Sequence, residues 1–299
     1  MIHLFLPLLA AISFALGSLV YKRAFAEGAG VAHAVVVNNV VLGIVFFPLL
    51  WTQPGAIPWH HWHQPVLTAA TFVLGHLLNV WSLRIGDVSV ATPLLGSKVI
   101  FVALIGRWIF DVHLSPTQWA AAALATAGVV VMGLTDVRPG GRTGLTTLTA
   151  LGCAASFAVT DTLIQAWGGG FGVRAFLALQ FAALGVLSLG LLPFFGRTAL
   201  RAPAPAWKWI ALGAALSALQ ATIITWTIAQ WRDAAGVNVV YATRGLWSIA
   251  LVWSVGHWLK NTERHSTGGR RMAFRGVGGT LILLAVVLAF RGARQAAGE

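Results

Sequence analysis

Apolar runs separated by short polar segments follow one another along the whole chain of 299 residues. A run of about 20 apolar residues allows a helix to cross a hydrocarbon core about 30 Å thick. The pattern therefore predicts an all-α polytopic membrane protein with ten transmembrane helices. Glycine, proline and charged residues delimit the predicted spans, which are residues 3–22, 31–51, 65–83, 88–110, 116–134, 145–167, 173–195, 207–230, 237–259 and 276–291.

The composition and the absence of catalytic motifs exclude several classes of function. Hydrophobic residues make up 58% of the chain and charged residues only 9%, against about a quarter charged in soluble domains. The sequence has no nucleotide-binding glycine loop and no serine–histidine–acid motif, and Cys153 is its single cysteine. It therefore predicts no enzyme, no cofactor and no metal site, and argues against ATP-driven transport by this chain. An ion gradient or an exchange substrate would supply the energy.

The net charge of +12 would suit nucleic acid or anionic lipid. Most Lys and Arg residues lie in short loops beside the predicted spans, which favours the lipid bilayer and argues against nucleic acid. Loops after odd-numbered spans hold thirteen of the 20 Lys and Arg residues, and the other loops hold five. The positive-inside rule then places the first group in the cytoplasm and both termini outside the inner membrane.

An internal repeat divides the chain. The segment "RPGGRTG" (Arg138–Gly144) is the clearest linker and leaves five spans on either side. The predicted domains are a first five-helix repeat, residues 1–138, and a second, residues 143–299. Because five is odd, the two repeats run in opposite directions through the membrane, and a site is expected near the midplane between them.

Two alignments support the repeat. "AISFALGSLVYKRA" (Ala11–Ala24) falls on "AASFAVTDTLIQAW" (Ala154–Trp167). A shift of 150 residues places Trp81–Phe110 on Trp231–Lys260. The identities under this shift are Trp81/Trp231, Gly86/Gly236, Val90/Val240, Val102/Val252, Gly106/Gly256 and Trp108/Trp258.

Residues 82–111, "SLRIGDVSVATPLLGSKVIFVALIGRWIFD", cross the hairpin from the third to the fourth span. With ten spans in two halves, this segment resembles the drug/metabolite transporter superfamily, specifically its EamA-type branch. In that branch a short hairpin leads into a helix with a threonine- and alanine-rich start, a proline and an acidic residue at its far end. Thr92-Pro93 and Asp111 occupy these positions here.

The second copy departs from this pattern, because Thr243 aligns with Pro93 and Asn261 with Asp111. The resemblance covers essentially the whole chain and implies a secondary transporter, but it does not specify the substrate. It also implies cytoplasmic termini, opposite to the orientation that the charge count predicts. The excess of Lys and Arg in loops after odd-numbered spans predicts termini outside.

Two cations lie inside predicted spans, Lys98 near the middle of the fourth and Arg244 in the ninth. A charged side chain at the bilayer centre costs about 2.5–3.5 kcal/mol on insertion scales, so both should face protein or water. Asp161, midway through the sixth span, is the main candidate counter-charge. Two cations and one acid leave one positive charge in excess. This predicts a cavity that attracts a phosphate, sulfonate, carboxylate or nucleotide-type group.

Aromatic residues flank the second cation. Arg244 shares a helical face with Tyr241 and with Trp247 or Ser248, an arrangement that suits an arginine between rings. The chain is also similar to the triose-phosphate translocators, distant relatives in the superfamily. These hold phosphate with a lysine and an arginine from the fourth and ninth helices, and the position types match Lys98 and Arg244.

The alternative to an anion-binding site is an ion pair with a purely structural role. Asp161 would then pair with Lys98 or Arg244 and lock the halves together. The 150-residue alignment places Lys98 on Ser248 and Arg244 on Leu94. It therefore predicts that the halves carry their charges on different turns, which suits an asymmetric ligand better than a symmetric lock.

Other polar side chains are candidates for the cavity wall. His76 and Asn79 lie three residues apart on the third span, and Gln220 lies on the eighth. Each would line the cavity or form interhelical hydrogen bonds, and His76 would also suit a coupling proton. The histidines of "WHHWHQP" have no acid or cysteine nearby, so we interpret them as an interfacial loop.

Three functions remain open. The first is a secondary transporter that moves a small, anionic organic metabolite by alternating access. The second is a flippase for a lipid-linked anionic group, and the third is a membrane sensor or scaffold that transports nothing. A polar cavity open to one side would argue against the scaffold. A lateral opening between helices would favour the flippase.

Overall fold

The computed structural model describes residues 4–30, 32–85, 94–134, 143–196, 201–254 and 269–298. Helices occupy most of this part of the chain. They are α1 (Leu6–Ala26), α2 (Asn38–Phe46), α3 (His63–Ile85), α4 (Lys98–Ile109), α5 (Pro116–Leu134), α6 (Thr143–Phe171), α7 (Val173–Gly190), α8 (Ala204–Trp231), α9 (Ala234–Tyr241), α10 (Arg244–Ser254) and α11 (Gly269–Gly298). A π-helical turn (His33–Val37) precedes α2, and a 3-10 segment (Phe47–Thr52) continues it. Short helical turns also occur at Trp59–His61 and Leu192–Phe195.

The prediction of an all-α polytopic membrane protein is confirmed. Within the described ranges, seven helical segments are long and apolar enough to cross a membrane: Leu6–Ala26, His33–Thr52, Trp59–Ser82, Gly144–Phe171, Val173–Gly190, Ala204–Trp231 and Ala273–Gly292. Helices α4 and α5 and the α9–α10 pair coincide with the other three predicted spans.

Parts of several predictions lie outside the described residues. These are residues 88–93 and 255–259 of the fourth and ninth spans, together with Thr92, Pro93 and Asn261. Residues 138–142 of the expected linker lie outside them as well. The division into domains at residues 138 and 143 stays a prediction.

The main helix contacts follow a two-fold pattern. Helix α1 packs along α8 and α3 along α6, while α2 packs on α7 and α5 on α11. In a five-span repeat, each span corresponds to the one five places later. Exchanging corresponding spans turns the α1–α8 pair into the α6–α3 pair. The same exchange leaves the α2–α7 and α5–α11 pairs as they are. The contacts of α4 with α6 and of α10 with α1 exchange in the same way. This pattern agrees with a repeat of five spans.

The fourth and ninth spans are interrupted at matching places. Residues 96–97 form a turn immediately before α4 begins at Lys98, and residues 242–243 form a turn immediately before α10 begins at Arg244. In both turns the hydroxyl of the second residue donates to the carbonyl three residues earlier, at 2.6 Å and 2.7 Å. Lys98 and Arg244 are thus equivalent, since each is the first residue after an interruption.

The prediction that the two charges occupy different turns is therefore wrong. Superposing the interruptions matches Lys98 with Arg244, a shift of 146 residues instead of 150. The difference of four residues is about one helical turn. The shift of 150 residues was set by tryptophans and glycines near the helix ends. Because both helices are interrupted, the shift that matches their ends differs from the shift that matches their middles.

Helices α5 and α11 approach each other closely at two glycines. A Cβ added to Gly278 would lie 2.4 Å from the carbonyl oxygen of Gly128, and a Cβ added to Gly128 would lie 2.6 Å from the carbonyl oxygen of Gly278. Small residues allow this approach, and van der Waals packing of this kind drives helix association in lipid.

Replacing Gly278 by Ala should destabilise this helix pair, because the added methyl group meets backbone that cannot move aside. We expect Gly278→Ala to lower the free energy of unfolding by about 1–3 kcal/mol, measured by thermal unfolding in detergent. The matched control is Gly276→Ala on the same helix, where an added Cβ has no neighbour within 4 Å. Equal unfolding temperatures for the two variants would contradict the contact.

Candidate functional site

A cavity of about 300 Å³ lies between the two halves. At its inner end it is lined by Lys98 and Asp161, and it extends to Lys22 near the end of α1 and Arg275 near the start of α11. It thus runs from the middle of the bundle to the face at which α1, α3 and α5 end. We call this the cavity face.

Aromatic packing fills the bundle on the other side of the cavity. The rings of Phe46 and Phe181 stack with centroids 4.0 Å apart, and Phe72 meets Phe181 edge to face at 5.7 Å. Closer to the opposite face, Phe171 and Phe176 make a further edge-to-face contact at 5.8 Å. Among the described residues, aromatic rings thus close the bundle toward the opposite face, and a ligand would reach the cavity from the cavity face.

Lys98 and Asp161 form a buried ion pair at the inner end of the cavity. Lys98 Nζ lies 2.6 Å from Asp161 Oδ2, and the two side chains are 9% and 6% exposed. Asn238 Nδ2 donates to the same carboxylate oxygen at 2.7 Å. One turn further along α6, Gln165 Oε1 accepts a hydrogen bond from the Ala234 N–H at 2.8 Å. Helices α4, α6 and α9 are thus held together around one carboxylate.

Arg244 is buried in the cavity wall and only 7% exposed. Its Cζ lies 4.9 Å from the ring centroid of Phe14 and 4.6 Å from that of Tyr241. Arg244 Nη2 donates to the Leu95 carbonyl at 2.8 Å, whereas Nε has no hydrogen-bond partner. Among the described residues no carboxylate forms an ion pair with Arg244. Rings and a carbonyl stabilise the guanidinium without neutralising it, so one positive charge remains in excess.

Seven of the eight predicted site residues line this cavity, and one does not. The seven are His76, Asn79, Lys98, Asp161, Gln220, Tyr241 and Arg244. The eighth, Trp247, is 36% exposed, and Ser248 lines the cavity in its place. The spacing from Arg244 allowed either residue, and the pitch of α10 brings the one four positions later to the cavity.

His76 joins a polar network between α2, α3 and α7. Its Nδ1 lies 2.8 Å from Asn39 Oδ1, and Asn39 Nδ2 donates to Ser188 Oγ at 2.9 Å. Asn38 Nδ2 donates to Asn39 Oδ1 at 3.1 Å, and Tyr21 OH donates to Asn38 Oδ1 at 3.2 Å. His76 therefore both lines the cavity and ties helices together. A role in proton coupling stays a prediction.

Sequence reasoning missed the phenyl rings beside the cations. Phe14, from the first half, lies against Arg244 of the second half. Phe157, from the second half, lies 5.7 Å from Lys98 Nζ of the first. The signal was present, because the alignment of Ala11–Ala24 with the sixth span superposes these two phenylalanines. Asn238 was also missed, although it lies on the same helical face as Tyr241.

Removing one partner of the Lys98–Asp161 pair should strongly destabilise the protein, because an uncompensated charge remains buried. We expect Asp161→Leu or Lys98→Met alone to cost about 3–5 kcal/mol of unfolding free energy. The double variant should unfold at a higher temperature than either single variant, since no buried charge is left unpaired. Thermal unfolding of all four proteins in detergent measures this coupling, and additive losses would show that the two residues do not depend on each other.

Comparison with known proteins agrees with this architecture. Residues 1–134 match the EamA-like transporter family. A protein of known crystal structure is 16% identical to this chain, and their structural alignment covers 98% of each chain with a TM-score of 0.70. The two proteins therefore share a fold.

Curated relatives match a shorter stretch. The probable 4-amino-4-deoxy-L-arabinose-phosphoundecaprenol flippase subunit ArnE of Pseudomonas fluorescens is 35% identical over 74 residues, 24% of this chain and 65% of that protein. The corresponding subunit of Pseudomonas savastanoi pv. phaseolicola is 34% identical over 67 residues, 22% of this chain and 59% of that protein. The chain therefore spans 59–65% of the length of these relatives. The EamA-type resemblance predicted from the sequence is confirmed over residues 1–134 of this multi-pass membrane protein.

Proposed function

We propose that the protein is a secondary transporter that moves a small organic metabolite with an anionic group across the inner membrane by alternating access. The observation that carries this proposal is Arg244, a buried cation in the cavity wall without a carboxylate partner among the described residues. An anionic ligand would supply the missing counter-charge. Charge-assisted hydrogen bonds to an arginine are among the strongest that a site of this kind offers.

The size of the cavity supports a small ligand. Its volume of about 300 Å³ is at the lower end of the usual range for ligand pockets, roughly 300–1,000 Å³. Asn79 and Gln220 in its wall offer amide donors and acceptors to the rest of the ligand. Tyr241 and Phe14 supply apolar surface beside the charged group.

The Lys98–Asp161 pair provides the other half of an alternating-access cycle. In the conformation described here it holds α4, α6 and α9 together at the inner end of the cavity, while the cavity face is accessible. Opening the opposite face requires these helices to part, so the pair and its Asn238 hydrogen bond would act as the closed gate. The positive-inside count makes the cavity face cytoplasmic, and the conformation would then be open to the inside.

A flippase for a lipid-linked anionic group is the second candidate. The ArnE subunits that the chain resembles are named for a phosphoundecaprenol-linked sugar. The cavity also approaches the outer surface of the bundle at α10, because Trp253 lines it and is nevertheless 40% exposed. A ligand with its phosphate at Arg244 could leave its lipid chain in the bilayer beside this tryptophan. The cavity argues against the third candidate, a scaffold with a filled interior.

Neutralising Arg244 should weaken anion binding and transport. We expect Arg244→Gln to weaken binding by about tenfold or more, since a hydrogen bond to a charged group contributes about 1.5–3 kcal/mol. Purified protein would be tested by thermal shift with sulfate, glucose 6-phosphate and geranyl phosphate. Proteoliposomes would then be loaded with radiolabelled forms of the probes that bind. Undiminished binding and uptake by Arg244→Gln would refute the proposal.

The control variant is Arg107→Gln. Arg107 is also an arginine within a helix, but it is 41% exposed, pairs with Asp111 and lies outside the cavity. It should retain the binding of the unmodified protein. The probes also separate the two candidates: preference for sulfate or glucose 6-phosphate supports the metabolite transporter, and exclusive binding of geranyl phosphate supports the flippase.

A further inference from the structure

The two halves contain equivalent cations but only one counter-charge. Lys98 and Arg244 both begin a helix after an interruption, and each lies against a phenylalanine from the opposite half. In α6, Asp161 follows Phe157 by one helical turn and neutralises Lys98. The first half has no acid at the corresponding place.

Ser18 takes the place of this acid. The alignment that superposes Phe14 on Phe157 also superposes Ser18 on Asp161. Ser18 lies one turn after Phe14, to whose carbonyl its Oγ donates at 2.9 Å, and it lines the cavity as Arg244 does. Helix α1 packs against α10 as α6 packs against α4. Ser18 therefore has the same position relative to Arg244 in the repeat that Asp161 has relative to Lys98.

The depth of the two positions differs as an inverted repeat requires. Helix α1 runs toward the cavity face, so Ser18 lies on the accessible side of Phe14. Helix α6 runs away from the cavity face, so Asp161 lies on the closed side of Phe157. Asp161 forms an ion pair at the closed end, whereas Ser18 lines the cavity wall.

We propose that the anionic group of the ligand binds between Arg244 and Ser18, in the place that the Asp161 carboxylate takes beside Lys98. This inference rests on the proposed function and assigns its charged subsite. An anion oxygen would accept from the Arg244 guanidinium, whose buried Nε–H has no partner, and from the half-buried Ser18 hydroxyl once it turns away from the Phe14 carbonyl. The subsite takes a single carboxylate, sulfonate or phosphate monoester group, with the rest of the ligand toward the cavity face.

Ser18→Asp tests the subsite, because it would tether a carboxylate where the ligand anion binds. We expect Ser18→Asp to unfold at a higher temperature than Ser18→Asn, which has nearly the same shape without the charge. We also expect its affinity for sulfate to fall at least tenfold below that of Ser18→Asn, measured at one pH and ionic strength. Sulfate keeps its charge near neutral pH, so it reports on the site alone.

A double variant shows whether the new carboxylate acts through the arginine. If it does, Ser18→Asp stabilises the protein when Arg244 is present and not when it is combined with Arg244→Gln. Sulfate binding by Ser18→Asp as tight as that of Ser18→Asn would overturn the subsite, and so would equal unfolding temperatures. If the unmodified protein binds none of the anionic probes, the proposed function fails and the anion assignment fails with it. A failure of the subsite alone leaves anion binding by the unmodified protein intact.

Discussion

The arrangement of this protein depends on a single physical constraint: an ammonium group in the middle of a membrane must have a partner. Lys98 forms an ion pair with Asp161, at 2.6 Å. The Asp161 carboxylate also accepts a hydrogen bond from Asn238. Burial of an isolated charge is far more costly than burial of a pair with satisfied hydrogen bonds. Helices α4, α6 and α9 are therefore fixed relative to one another at this point, in addition to their van der Waals contacts and the Gln165–Ala234 hydrogen bond.

The second cation obeys the same constraint in a different way. Arg244 lies against Phe14 and Tyr241 and donates to a backbone carbonyl, so it is solvated by dipoles and rings. This environment tolerates the charge but leaves it available to an anion. The difference between the halves arises from one pair of aligned positions, an aspartate on α6 and a serine on α1. A framework with near two-fold helix packing thereby acquires one neutral side and one electropositive side.

The sequence pattern was sufficient for the fold class and for the charged residues of the cavity, because a membrane penalises every ionisable group strongly enough to make it conspicuous. Lys98, Asp161 and Arg244 could be identified in this way. The equivalence of Lys98 and Arg244 could not, since turns at residues 96–97 and 242–243 leave no mark in an apolar run. The choice of Ser248 over Trp247 depended on the pitch of α10. Phe14 and Phe157 were hidden because a phenylalanine is unremarkable in an apolar sequence.

The hydrogen bond from Arg244 to the Leu95 carbonyl has a consequence for turnover. The interruption before α4 leaves this carbonyl available, and it accepts from one donor of the guanidinium. Under the proposed function, an arriving anion would compete with this neutral carbonyl and not with a carboxylate, so binding would require no ion pair to break. After the anion leaves, the Leu95 carbonyl would accept from the guanidinium again, so the buried arginine would keep a hydrogen-bond partner throughout. Such a substitute acceptor favours modest affinity and rapid release, which are the properties that a carrier needs at both ends of its cycle.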